Sequence, residues 1–139
     1  MSYEFRSPRT DEDWRAYHDI RRAELWEARG QFGVYDDQHP DEAKPNHHPK
    51  LLYVDGVPIG VVRIDIEGEI AWFRRVAIVE AYQRKGHGRA MLTLAESFAR
   101  AAGAKRVESS IDLDAISFYR NCGYRAHEGQ PETAVYKLL

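Results

Sequence analysis

Only one cysteine, Cys122, occurs in the 139 residues, so the chain cannot close an internal disulfide and suits a reducing compartment. No apolar run approaches the ~20 residues that a membrane-crossing helix needs, and no N-terminal apolar segment resembles a signal peptide. A cytoplasmic protein with no membrane partner is expected. A surplus of one charge is also missing: 20 Lys and Arg against 22 Asp and Glu leave a formal net charge of −2. With no nucleic-acid-binding motif present, that balance argues against a polyanion binder, and no nucleic-acid partner is expected. No repeat or low-complexity tract divides the chain. One domain over residues 1–139 is long enough to bury a proper core.

Against these absences one stretch stands out, Val76-Ala-Ile-Val-Glu-Ala-Tyr-Gln-Arg-Lys-Gly-His-Gly-Arg89. An apolar strand pattern stops, two glycines appear among basic residues, and an amphipathic helix pattern begins. That order gathers backbone N–H groups and the positive end of a helix dipole at one point, which suits a phosphate. The stretch is no P-loop, because no Gly-Lys-Ser/Thr follows. It is no dinucleotide fingerprint either, because Met91 occupies the place of the third small residue.

Elsewhere the pattern gives a short strand at Tyr3–Phe5 and a helix from Thr10, with Asp13 three residues on, to about Arg29. Residues 30–49 read as a long loop rich in proline, acids and histidines. Strands are predicted over Leu51–Val54, Val57–Ile66 and Ile70–Val79, separated by Asp55-Gly56 and Glu67-Gly68. Met91, Ala95, Phe98 and Ala102 mark a helix ended by Gly103. A strand at Arg106–Ile111, a short helix at Leu113–Asn121 and a strand at Thr133–Leu138 follow. The unit from 70 to 111 demands a parallel pair with a right-handed crossover. The sum is an α/β fold, a mixed and mostly antiparallel sheet with helices on its faces.

Gln83, Gly86 and Gly88 match, position by position, the Gln/Arg-x-x-Gly-x-Gly/Ala of motif A in the GNAT superfamily of N-acetyltransferases. Asp112-Leu-Asp-Ala-Ile-Ser-Phe-Tyr-Arg-Asn-Cys-Gly-Tyr124 resembles the family's motif B, with Ala115, Tyr119, Gly123 and Tyr124 at the expected spacings and Asp112 replacing the usual Asn. The resemblance implies a GNAT-like sheet with one splayed parallel strand pair, and acetyl-coenzyme A as cosubstrate. It places the pyrophosphate on the loop of Arg84, Lys85, Gly86, His87, Gly88 and Arg89, and counts Asp112 with the cofactor-binding residues. The strand before motif A bulges in this family, and by position Val76 and Ile78 carry the backbone N–H groups that meet the pantetheine and the thioester carbonyl.

Direct acetyl transfer to an amine also needs an acid for the departing thiolate and a base for the amine. Tyr119 is the acid that the resemblance implies; an ordinary tyrosine, pKa ~10, keeps its proton at neutral pH. Some relatives carry a Glu base in mid-strand, where this chain has Trp72. Glu69, Asp65 and Glu108 are the alternatives, with Glu69 first. In the loop, Asp36, Asp37, Asp41 and Glu42 form either an acidic wall that favours a cationic amine or a merely solvated segment. His39, His47 and His48 fit no compact ligand spacing, and no metal is expected. Cys122 has no histidine beside it and reads as a packed small residue.

The expected function is acetyl-CoA-dependent N-acetylation of a primary amine, on a small molecule or on a protein, by a chain able to form a homodimer. The alternative is a non-catalytic coenzyme A-binding module acting as sensor or interaction domain.

Overall fold

The computed structural model describes residues 1–139, Asp41 by its backbone alone. Asp55 and Gly56 take φ 49° and 83°, the two positive values that suit a tight hairpin between right-twisted strands. They join β2 (His47–Val54) to β3 (Val57–Glu67), which returns through Gly68 into β4 (Ile70–Ile78). Together with β1 (Tyr3–Arg6), β5 (Arg106–Ser110), β6 (Arg125–Ala126) and β7 (Ala134–Leu138) they build one seven-stranded sheet, ordered β1-β2-β3-β4-β5-β7-β6. Neighbours are antiparallel except β4 and β5, which are parallel. The mixed sheet read from the sequence is the sheet observed.

Strand alternation sends apolar side chains to both faces. Leu51, Tyr53, Val61 and Ala77 pack with Tyr17 and Ile20 of α1 (Asp11–Arg21) on one face. Leu52, Val54, Val62, Ile64 and Phe73 pack on the other with Met91, Leu92, Ala95 and Ala99 of α2 (His87–Ala101) and Tyr119 of α3 (Ile116–Asn121). The start of α1 is closed by a capping box. Thr10 Oγ1 accepts the Asp13 N–H at 3.1 Å, and Asp13 Oδ2 accepts the Thr10 N–H at 3.4 Å.

Three boundaries differ from the sequence reading. The first helix is regular only to Arg21; a wider turn over Arg22–Trp26 and a tight one over Glu27–Arg29 carry it to Gly30, at φ 78°. The loop is shorter, because His47–Lys50 already pair with Asp65–Val62, and a tight helical turn spans Pro40–Ala43. Pro49 is tolerated because β1 reaches only Leu51, which leaves that edge of β2 open. The two-residue strand β6, pairing with β7, went unpredicted. Among the described residues no helix is long and apolar enough to cross a membrane.

Candidate active site

The site begins where β4 leaves its parallel neighbour. Their ladder runs from Ile70↔Arg106 to Phe73↔Ser109 and stops, while β4 continues to Ile78. Ser109 Oγ donates to the Phe73 carbonyl at 2.9 Å and so satisfies the backbone at the split. On the β3 side, Val61 pairs with Ala77 and Arg63 with Arg74, so Val62 faces the two residues Arg75 and Val76. This is a β-bulge, with Arg75 at φ 56°. Val79 N–H donates to Ile59 on β3 at 2.8 Å. Alternation then turns the N–H of Ile78, and of Val76 two residues back, toward the side that β5 has vacated. The bulge, invisible in the sequence, falls at Arg75 and Val76, two residues before Ile78.

The glycine loop closes one end of the opened groove. Arg84 and Gly86 sit at φ 62° and 88°, and Gln83 Nε2 donates to the Ile78 carbonyl at 2.8 Å, tying the loop to the strand end. Arg84, Gly86, Gly88 and Arg89 line a groove of about 620 Å³ together with Val76, Ile78 and Tyr119. A Cβ on Gly88 would lie 3.0 Å from Phe118, whereas Gly86 faces open space. Two predicted side chains are elsewhere. His87 is buried and hydrogen-bonded through Nδ1 to the Tyr3 hydroxyl at 2.8 Å, because the first turn of α2 rotates it toward β1. Lys85 lies 6.0 Å over the Tyr82 ring, outside the groove lining. His87 thus offers a phosphate only its backbone, whereas the Lys85 side chain is exposed.

Past Tyr119 the groove narrows to a neck of about 140 Å³, which shares Leu25, Arg29, Val76, Ala115 and Tyr119 with it. Tyr119 is 5% exposed. Burial, then the Cys122 and Asp112 charges, pushes its hydroxyl well above the ordinary tyrosine range. The hydroxyl has no hydrogen-bond partner among the described residues, so its proton is available to a ligand. Asp112 also lines the neck, and its carboxylate is ion-paired with Arg29. Cys122 is packed in the core, and burial raises its thiol pKa.

The neck opens, through Phe73, Arg75 and Ser110, into a cleft of about 690 Å³ between the first helix, the 30–46 loop and the β3–β4 hairpin. Of the four loop acids, Asp36 and Glu42 line this cleft, and Glu42 is neutralised there. Glu42 is ion-paired with Arg21, lies 3.3 Å from Arg63 and accepts from the Tyr17 hydroxyl at 3.1 Å. These cations outweigh burial and hold its carboxyl below the usual range. Asp65 receives both Arg63 Nε and Nη2, at 2.9 and 3.0 Å, with Arg74 at 3.5 Å and His47 at 3.4 Å. Glu42 and Asp65 are neutralised by arginines that β3, β4 and α1 deliver, while Asp36, also in the lining, accepts the Gln38 N–H at 2.9 Å. The side chain of Asp41 lies outside the described residues.

Glu69, first among the proposed bases, is not brought to the site. It sits at the start of β4, 2.9 Å from Lys105, and lines a separate depression beside the β5 start. Glu108 is engaged by Arg106 and His127, both at 2.6 Å, away from the cleft. Of the three alternatives only Asp65 lines the cleft, beside His47. Among the described residues no group of three or more His, Cys, Asp or Glu is placed to hold a metal ion. The sequence reading missed Arg29, Leu25, Trp26 and Phe118 as lining residues. It gave Arg75 no role, although two arginines, Arg74 and Arg75, inside an otherwise apolar strand were a usable signal.

Comparison with known proteins agrees with this geometry. The acetyltransferase (GNAT) family model matches residues 8–124. A Bacillus subtilis (strain 168) protein named as a candidate acetyltransferase is 26% identical over 121 residues, 84% of this chain and 79% of its own. A crystal structure of a candidate N-acetyltransferase from Lactobacillus plantarum superposes with TM-score 0.74 at 28% identity, over 99% of this chain and 97% of that one. The PaiA N-acetyltransferase of Thermoplasma acidophilum, solved in complex with coenzyme A, shares the fold at TM-score 0.76 and 17% identity, with both chains fully covered.

Proposed function

Because the chain belongs to the GNAT acetyltransferase family, we propose that it transfers the acetyl group of acetyl-coenzyme A directly to a primary amine held in the arginine-lined cleft. One observation carries this reading. Groove, neck and cleft share lining residues in succession, so a single trough leads from the glycine loop past Tyr119 to the cleft.

The residues present fit the cosubstrate. Gly86 leaves open space before the loop, Gly88 sits where a side chain would collide with Phe118, and Arg84 and Arg89 place charge beside the loop amides. Acetyl-coenzyme A supplies a thioester acyl group and a thiol leaving group. The Val76 and Ile78 N–H groups, freed by the bulge, donate to the pantetheine and to the thioester oxygen as negative charge grows on it. Tyr119, protonated throughout the neutral range, offers its hydroxyl proton to the sulfur. On the cleft side Asp65, the one of the three weighed carboxylates that lines it, is the group that receives the amine's proton, directly or through water.

The test is thiol release from acetyl-coenzyme A across a panel of amines, with coenzyme A affinity measured in parallel. Acetylated product from at least one amine is expected. Tight coenzyme A binding without thiol release on any amine would instead identify a binding module.

A further inference from the structure

We propose that the cleft recognises an acceptor carrying a carboxylate close to its amine, the chemistry of a small amino acid, and that Arg75 holds that carboxylate. The inference rests on the reading of the trough given above.

A regular strand sends successive side chains to opposite faces. Here Phe73, Arg74 and Arg75 all line the same cleft, which the bulge makes possible. Arg75 takes φ 56°, a conformation unfavourable for a non-glycine L residue by roughly 1–2 kcal/mol and concentrated at functional sites. Its guanidinium lies 4.9 Å over the Trp26 ring and has no carboxylate partner among the described residues. It also stands in the field of other cations. Desolvation, then Arg21, Arg63, Arg29 and Arg74, lower its pKa. On the same wall Arg21 is 4% exposed, and its Nε is buried without an acceptor.

The pairing of the arginines points to the ligand. Arg21 and Arg63 meet Glu42, and Arg63 and Arg74 meet Asp65, whereas Arg75 has no carboxylate among the described residues. One guanidinium left without an anion calls for one anionic group on the ligand. A planar guanidinium fork suits a carboxylate in two parallel hydrogen bonds. Arg75 lines the neck with Val76 and Tyr119 as well as the cleft. A carboxylate on Arg75 is therefore within one side chain of the reacting amine, which favours an amino acid over a long amine with a remote acid.

The experiment is a titration of the full chain, loaded with coenzyme A, by N-acetylglycine and by the uncharged N-acetylglycinamide. The arginine Nε–H resonances are followed by NMR. N-acetylglycine should shift the Arg75 signal saturably, with affinity at least about tenfold above that of the amide, the worth of a charge-assisted hydrogen-bonded pair. Arg75→Asn, a residue that tolerates positive φ, should remove that difference while coenzyme A still binds. Equal affinity for acid and amide, or a preference that survives in Arg75→Asn, overturns the proposal. Neither readout needs turnover. Failure here leaves acetyl transfer standing, and an amine panel without product leaves this result standing.

Discussion

Ser109 Oγ donates to the carbonyl of Phe73 at 2.9 Å, on the last rung that β4 and β5 share. Beyond it the strands part, and the backbone that would have continued the ladder is released to a ligand. Ser109 is buried, so Ser109→Ala leaves an unpaired carbonyl at the split. The expected loss is about 1–2 kcal/mol in denaturant unfolding, with a fall in acetyl transfer as the splay loosens. Unchanged stability would show that water replaces the hydroxyl there.

Gly88→Leu should abolish coenzyme A binding with the fold retained. Its side chain meets Phe118 at 3.0 Å and fills the groove before the loop amides. Calorimetry with coenzyme A and a circular dichroism spectrum check both halves. Undiminished binding would place the nucleotide elsewhere.

Tyr119→Phe should lower kcat by ~10²-fold or more, the usual worth of a positioned acid, and change coenzyme A affinity little. Because burial raises the Tyr119 pKa, the hydroxyl stays protonated as pH rises. The parent's kcat should therefore show no alkaline fall from loss of this proton up to pH ~10. A tyrosine-dependent fall below that pH, absent in Tyr119→Phe, would contradict the assignment.

Asp13 links the α1 cap to the sheet. It accepts from the Tyr53 hydroxyl, the Arg9 N–H at 2.9 Å and Arg6 at 2.8 Å. The hydrogen bond from Tyr53, then that from Arg9, lowers its pKa to about 2. A depressed carboxyl contributes stability that is full above its unfolded value, ~3.9, and is lost as pH falls from there through about 2. Asp13→Asn should be less stable than the parent at neutral pH, and the gap should close as pH falls through that window. Parallel acid-unfolding curves for the two proteins would refute the linkage.

His87 and the 30–46 loop show where local reading stops. His87 lies between two motif glycines and seemed part of the phosphate loop, yet α2 geometry turns its ring to Tyr3. The acids of the loop are real, but Glu42 meets Arg21 and Arg63, which lie 21 residues away on either side. A pattern read over a few neighbours cannot weigh partners that distant. Trp72 and Glu69 illustrate the same limit. The empty base position was legible, whereas the removal of Glu69 to the far end of β4 followed only from the strand's length.

Local chemistry alone determined the order of the longer strands and helices, the hairpins, the parallel crossover and the glycine turn at the head of α2. Side-chain period, turn residues and helix ends act over a few residues and need no knowledge of the rest of the chain. Folding decided the bulge at Arg75, the early end of the β4–β5 ladder, and which charges are neutralised around the cleft. Those depend on register and on groups meeting across the sheet, where a shift of one residue reverses every side chain.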